Sequence, residues 1–139
     1  MEIRNVSYKN PDVWEMVYAV SGRPIPFFRS IMEGGSGSPR GVLSGGAAVI
    51  DEFLNETSNL KYVNMQRTLQ GAILYFKVRL EVYGIPIPQS TPLSVQENEV
   101  SLFNGDLRFT FKPGERKAWK AFFLKAGWDK DIINQAFLD

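Results

Sequence analysis

The chain is organised around Leu60–Lys112, and at the heart of that stretch the side chains read with a period of two. In Leu69–Pro88, LQGAILYFKVRLEVYGIPIP, one face carries Ala72, Leu74, Phe76, Val78, Leu80 and Val82. The other carries Ile73, Tyr75, Lys77, Arg79, Glu81 and Tyr83. Successive side chains leave a strand on opposite sides, so the spacing predicts a sheet with one dry and one wetter face. A helix is the rival reading, with Leu69, Ala72, Ile73, Phe76, Leu80 and Tyr83 on one side and Gly84 and Pro86 as its stop. It would leave Leu74, Val78 and Val82 as a second apolar stripe, requiring burial almost all round. The abundance of Ile, Val, Tyr and Phe favours the strand. Leu69–Tyr83 is long for one strand, so a bend or two strands is expected.

Val100–Phe103, Asn104-Gly105 and Asp106–Lys112 read as a hairpin about an Asn-Gly turn, whose residues tolerate positive φ. A two-residue loop there pairs Phe103 with Asp106, Leu102 with Leu107, Ser101 with Arg108 and Val100 with Phe109. Leu102, Leu107, Val100 and Phe109 then share one face, and Ser101, Arg108, Glu99 and Thr110 the other. Upstream, Leu93 and Val95 are odd-numbered where Val100 and Leu102 are even. The inward phase therefore flips, and Glu97-Asn98-Glu99 is expected to form a turn or bulge.

Around this core the pattern changes. Ile3–Tyr8 alternates weakly, as a short edge strand would. Asn10-Pro11-Asp12 reads as a helix start, with Val13, Trp14, Val17, Tyr18 and Ser21 at helical spacing and Gly22 to close it. A strand through Trp14, Met16, Tyr18 and Val20 is the competing reading. Pro24 and Pro26 exclude a regular central strand from Arg23–Glu33. Gly34–Gly46, rich in glycine and serine, reads as the loosest part of the chain, and Ala47–Thr57 as a short helix. After Pro113-Gly114, Glu115–Ala126 is amphipathic: Trp119, Phe122, Phe123 and Ala126 point inward, and Arg116, Lys117, Lys120 and Lys125 outward. Gly127 ends this helix, and Asp129 can cap a last one with Ile132, Ile133, Ala136 and Phe137 on its apolar side.

Composition narrows the chemistry. Hydrophobic residues make up 44% and charged residues 22% of 139 residues, the balance of a globular chain able to bury a core. With no internal repeat and no linker, residues 1–139 are expected to form a single domain. The net charge of +1 gives no reason to expect nucleic acid or another polyanion as partner. There is no cysteine, which removes disulfides and thiol chemistry, and no histidine, which removes the commonest general base and most zinc and iron sites. No signal-peptide pattern opens the chain and no apolar run is long enough to span a bilayer, so a cytoplasmic protein without a transmembrane segment is expected.

Four candidate sites remain. The glycine-rich segment has P-loop spacing between Gly41 and Gly46, but Ala47 and Ala48 stand where lysine and a hydroxyl residue are needed. It reads as a mobile surface loop, with Arg40 the one residue suited to meet an anion. Arg108, Lys112, Arg116, Lys117, Lys120 and Lys125 are interleaved with Phe109, Phe111 and Trp119, yet those aromatics fall on the dry faces. Asp51, Glu52, Glu56, Glu97 and Glu99 could supply a carboxylate pair for hydrolysis if two converged in a cleft. The alternating face Tyr75, Lys77, Arg79, Glu81 and Tyr83 is the leading ligand or partner surface, with Arg40 beside it. No catalytic residue, metal ligand or cofactor is assigned.

Leu69–Ala126 resembles the second half of a pleckstrin-homology-like (PH/GRAM-type) domain, especially the bacterial ones. The residues carrying this are RLEVYGIPIP (Arg79–Pro88), LSV (Leu93–Val95), LRFTF (Leu107–Phe111) and a following helix with an inward Trp119. The resemblance implies a bent antiparallel sheet closed at one end by the C-terminal helix. It also implies a non-catalytic module that binds lipid headgroups, peptides or partner proteins. The first sixty residues and the helix after Gly127 depart from the pattern, and no lysine/arginine phosphate signature carries over. The expected fold is α+β: a strongly bent, small barrel-like antiparallel sheet with a packed C-terminal helix and one or two N-terminal helices. The expected function is a binding or assembly module, its partner another protein or a second copy joined through a sheet edge. A carboxylate hydrolase and a subunit of a larger assembly are the alternatives.

Overall fold

The computed structural model describes residues 4–5, 11–25, 37–46, 62–78, 81–104 and 107–138. Its strands are β1 (Arg4–Asn5), β2 (Gly41–Gly46), β3 (Tyr62–Thr68), β4 (Gly71–Val78), β5 (Glu81–Pro88), β6 (Leu93–Gln96), β7 (Glu99–Asn104) and β8 (Leu107–Lys112). Its helices are α1 (Pro11–Ser21), α2 (Arg116–Lys125) and α3 (Lys130–Ala136). The strands form one sheet in the order β1-β5-β4-β3-β2-β8-β7-β6, every pair antiparallel. The fold is α+β, as expected. The helix expected over Ala47–Thr57 lies outside the described residues.

Tight turns set the two faces. Across a two-residue loop, residue i pairs with i+3, so an even-numbered inward position faces an odd-numbered one on the next strand. Thr68 pairs with Gly71 around Leu69-Gln70, and Val78 with Glu81. Gln96 pairs with Glu99 around Glu97 and Asn98, both with positive φ (50° and 63°), as a primed hairpin turn requires. The inward set is therefore Val63 and Met65 on β3, Ala72, Leu74 and Phe76 on β4, then Ile85 and Ile87 on β5.

This corrects the expected faces after Val78. Leu69–Tyr83 is two strands rather than one, and the turn reverses the phase. Val82, paired through its backbone with Lys77, turns to the outer face, while Tyr83 pairs with Phe76 and stacks on it, ring centroids 5.6 Å apart.

The β7–β8 hairpin is also displaced. Val100 pairs with Phe111, Leu102 with Phe109 and Asn104 with Leu107, two residues out of the expected register. A shift of two preserves parity, so the faces stand. It sets Thr110 opposite Ser101, where the two hydroxyls hydrogen-bond at 3.0 Å.

A larger correction concerns the glycine-rich stretch. Gly41–Gly46 is a central strand, between β3 and β8. Glycine is needed for packing at its start, because a Cβ at Gly41 would lie 2.9 Å from Phe111 Cδ2 and 3.0 Å from the Lys112 carbonyl oxygen. The ladder to β8 slips between Leu43 and Gly45, which makes Ser44 a bulge.

The sheet curls. Phe76 on β4 and Phe109 on β8 have ring centroids 5.6 Å apart although β3 and β2 lie between their strands. On a flat sheet three strand spacings amount to about 14 Å, so curvature brings the inward rings together. Into this concavity α2 delivers Trp119, whose ring lies 4.7 Å from Phe111 and 5.8 Å from Phe123.

Trp119, Phe122, Phe123 and Ala126 are all buried, as their spacing predicts. Gly127 (φ 97°) turns the chain, the Asp129 side chain accepts from Ile132 N at 3.0 Å, and α3 adds Ile133 and Phe137 to the core. Ile132, expected inward, is 52% exposed. The inner stripe of so short a helix is filled by Ile133, Ala136 and Phe137.

Helix α1 packs on β4 and β5. It covers Ile73, on the opposite face from the inward Leu74, and it buries Val17 and Ser21. Gly22 (φ 82°) stops it, and Thr68 Oγ1 and Gln70 N both donate to Ser21 O, fastening the helix end to the β3–β4 turn. Punctuation at both ends thus decided for the helix over the alternating strand.

Candidate binding face

With α2 and α3 in the concavity and α1 over β4 and β5, the outer face of β2, β8, β7 and β6 presents a row of small hydroxyl residues. Ser94 pairs with Ser101, Ser101 with Thr110, and Thr110 with Gly45. One file therefore crosses four strands, and the bulge adds Ser44 beside Gly45. A groove of about 420 Å³ follows this file, with Arg108 in its wall and Gln96, Glu97 and Glu99 around the β6–β7 turn. Most of these groups are fixed by backbone pairing, so the groove is formed in advance. Ser44 Oγ is buried and has no hydrogen-bond partner. Phe103, cross-strand from Arg108 on the same face, is 38% exposed.

The two tyrosines of the surface expected at β4 and β5 are not brought together. Tyr75 and Tyr83 lie on opposite faces, because the turn after Val78 reverses the phase. Tyr83 stacks on Phe76 at the core, and Tyr75 is half-buried on the α1 side. Lys77 and Glu81 pair through their backbones with Val82 and Val78, and Arg79 lies outside the described residues. Arg40 is exposed, its guanidinium 4.5 Å from the centre of the Tyr62 ring.

Of the carboxylates, Glu97 and Glu99 share the groove, while Asp51, Glu52 and Glu56 fall outside the described residues. Phe109, Phe111 and Trp119 are fully buried and offer no base-stacking platform. Arg116, Lys117 and Lys120 line a smaller cleft of about 230 Å³ with Phe137 and Leu138. Ser44, Ser94 and Gln96 were not singled out beforehand. Ser94 and Gln96 alternate with the inward-packed Leu93 and Val95, a signal the sequence does carry.

Burial and the neighbouring Tyr18 push the Tyr75 phenol from 10.0 up to about 12. An unfolded tyrosine ionises near pH 10. Between roughly pH 10 and 12 the unfolded chain therefore gives up this proton while the folded one keeps it. Stability from the neutral phenol is intact below that window and falls as pH rises through it. Unfolding midpoints recorded against pH are expected to drop less steeply there for Tyr75→Phe than for the parent chain.

Among the described residues no group of three or more His, Cys, Asp or Glu side chains is placed to hold a metal ion, and no helix is long and apolar enough to cross a membrane. Comparison with known proteins returned no matching family model, no matching curated protein and no matching solved structure.

Proposed function

We propose that the chain is a non-catalytic binding or assembly module working through the outer face of β2, β8, β7 and β6. The observation that carries this reading is the groove: preformed on paired strands, lined by polar side chains, with a buried hydroxyl left unpaired at its bulge. A curled antiparallel sheet followed directly by a helix with an inward tryptophan supports the pleckstrin-homology-like comparison. Two carboxylates against one guanidinium in the groove do not favour an anionic lipid headgroup.

The test is a ligand-observed NMR screen of the full chain against peptide, metabolite and saccharide collections, with light scattering to record self-association. Ser101→Arg, which fills the centre of the hydroxyl file, is expected to abolish binding or self-association while the chain stays folded, its stability lowered by about 1 kcal/mol through the lost hydrogen bond to Thr110. Ala19→Arg, on the exposed side of α1, should leave both unchanged. Interaction that persists in Ser101→Arg would refute the assignment of the face.

One observation favours a second reading: Glu97 and Glu99 line the same groove, so a carboxylate hydrolase has two acids on one surface. Turnover of a bound ligand, lost in both Glu97→Gln and Glu99→Gln, would establish it.

A further inference from the structure

We infer that the groove on β2, β8, β7 and β6 is a saccharide site, an inference that rests on the binding-face reading above. Five lining residues, Ser44, Ser94, Gln96, Ser101 and Thr110, have neutral side chains that both donate and accept hydrogen bonds, Ser101 and the buried Thr110 already sharing one with each other. A ligand made of hydroxyl groups, each also donor and acceptor, matches such a lining wherever it lands. A simple anion or cation would instead call for an excess of one charge.

The charged groups fit the same ligand. The Arg108 fork can donate to two neighbouring oxygens at once, and the Glu97 and Glu99 carboxylates accept from hydroxyls. Phe103, cross-strand from Arg108 and 38% exposed, carries an aromatic ring on whose face the C–H groups of a sugar can stack.

Ser44 supplies the independent observation. A hydroxyl held away from water with no partner costs stability, and no described residue supplies one. It stands at a bulge, where a strand's side chains are re-aimed, and it lines the groove. Turned about its Cα–Cβ bond into the groove, the hydroxyl would find its partner on a ligand. The groove volume lies in the range of small-molecule sites, roughly 300–1,000 Å³. An extended peptide is the poorer match, since peptides add to a sheet by pairing with a strand edge rather than by lying across hydroxyls on its face.

The full chain is tested on an array of neutral, acidic and amino-bearing oligosaccharides. Each hit is then measured by calorimetry beside its constituent monosaccharide. Retention of at least one class is expected. Affinity that grows with chain length marks a polysaccharide, and affinity equal for the monosaccharide marks a free sugar; both support the site.

Arg108→Ala is expected to weaken binding about tenfold or more, and Ser44→Ala about threefold to tenfold. The unfolding midpoint of Ser44→Ala should be unchanged or raised, because the variant removes an unpaired buried hydroxyl; a purely structural serine would lower it. No retention by the folded chain, or binding that both substitutions leave unchanged, overturns the inference. A peptide or protein held instead, and lost in Ser101→Arg, overturns the saccharide assignment and leaves the binding face standing. A saccharide bound equally well by Ser101→Arg removes both.

Discussion

Trp119→Ala is expected to remove about 3–5 kcal/mol of folding stability, the usual cost of truncating a large buried aromatic. The side chain is fully buried, with rings of Phe111 and Phe123 at 4.7 and 5.8 Å and Phe122 edge-on at 5.9 Å. These contacts join β8 to α2, so the cavity would open where helix meets sheet. Domains of this size have about 5–15 kcal/mol in total, and the variant should lie near the edge of folding. Trp119→Phe separates volume from polarity. The indole Nε1 is buried without an acceptor, and phenylalanine removes that unsatisfied donor while leaving a smaller void. The opposing effects should keep its loss near 1 kcal/mol or below. Urea unfolding of the parent and both variants measures this. If alanine costs no more than phenylalanine, α2 is not seated through Trp119.

The helices were legible because each carries punctuation. Asn10-Pro11 and Gly22 bound α1, and Pro113-Gly114 and Gly127 bound α2. The strand phases were legible only where a turn left a trace. At Glu97-Asn98 the apolar positions change parity, and the turn is there. At Val78–Glu81 the chain reads Val78, Leu80 and Val82 at even positions, apolar throughout, with no Gly, Asn or Pro between. Period two therefore runs straight through a turn. Leu80 lies outside the described residues, and Val82 is half-buried on the α1 side of the sheet. The masking residues are apolar because part of the outer face is covered.

The same contrast explains the candidate site. Under α1 the outer positions include Ile73, Tyr75 and Pro86; away from it they are Ser94, Gln96, Ser101, Arg108 and Thr110. A face of mixed character along one sheet records which half a helix covers. That record could be read only once the strand order was known, since Ser44 and Ser94 meet through β8 and β7 and are fifty residues apart in the chain. Glycine richness misled for a related reason. At Gly41 it reflects close packing against β3 and β8 rather than looseness.

Gly71→Ala is expected to be the most damaging of the conservative changes, costing about 3 kcal/mol or more. A Cβ there would overlap the Ile87 carbonyl oxygen and lie 2.9 Å from Gln89 N. Both are backbone atoms, so no rotamer change can relieve the contact. Gly71 pairs with Thr68 on one side and Pro88 on the other, and Gln89 N donates to Gln70 O at 2.9 Å. Displacing any of these strands pulls on the β3–β4 turn, to which Ser21 and Arg23 are also tied. Two other glycines calibrate the effect. At Gly37 an added Cβ meets nothing within 4 Å, so alanine should be neutral or stabilise by up to about 1 kcal/mol through the unfolded chain. At Gly41 the Phe111 ring atom at 2.9 Å can tilt but the Lys112 carbonyl at 3.0 Å cannot, and an intermediate loss of about 1–2 kcal/mol follows. Denaturant unfolding of the three alanine variants should rank them Gly37, Gly41, Gly71 in increasing loss. A Gly71→Ala variant as stable as Gly37→Ala would contradict the close approach of β4, β5 and the turn that follows.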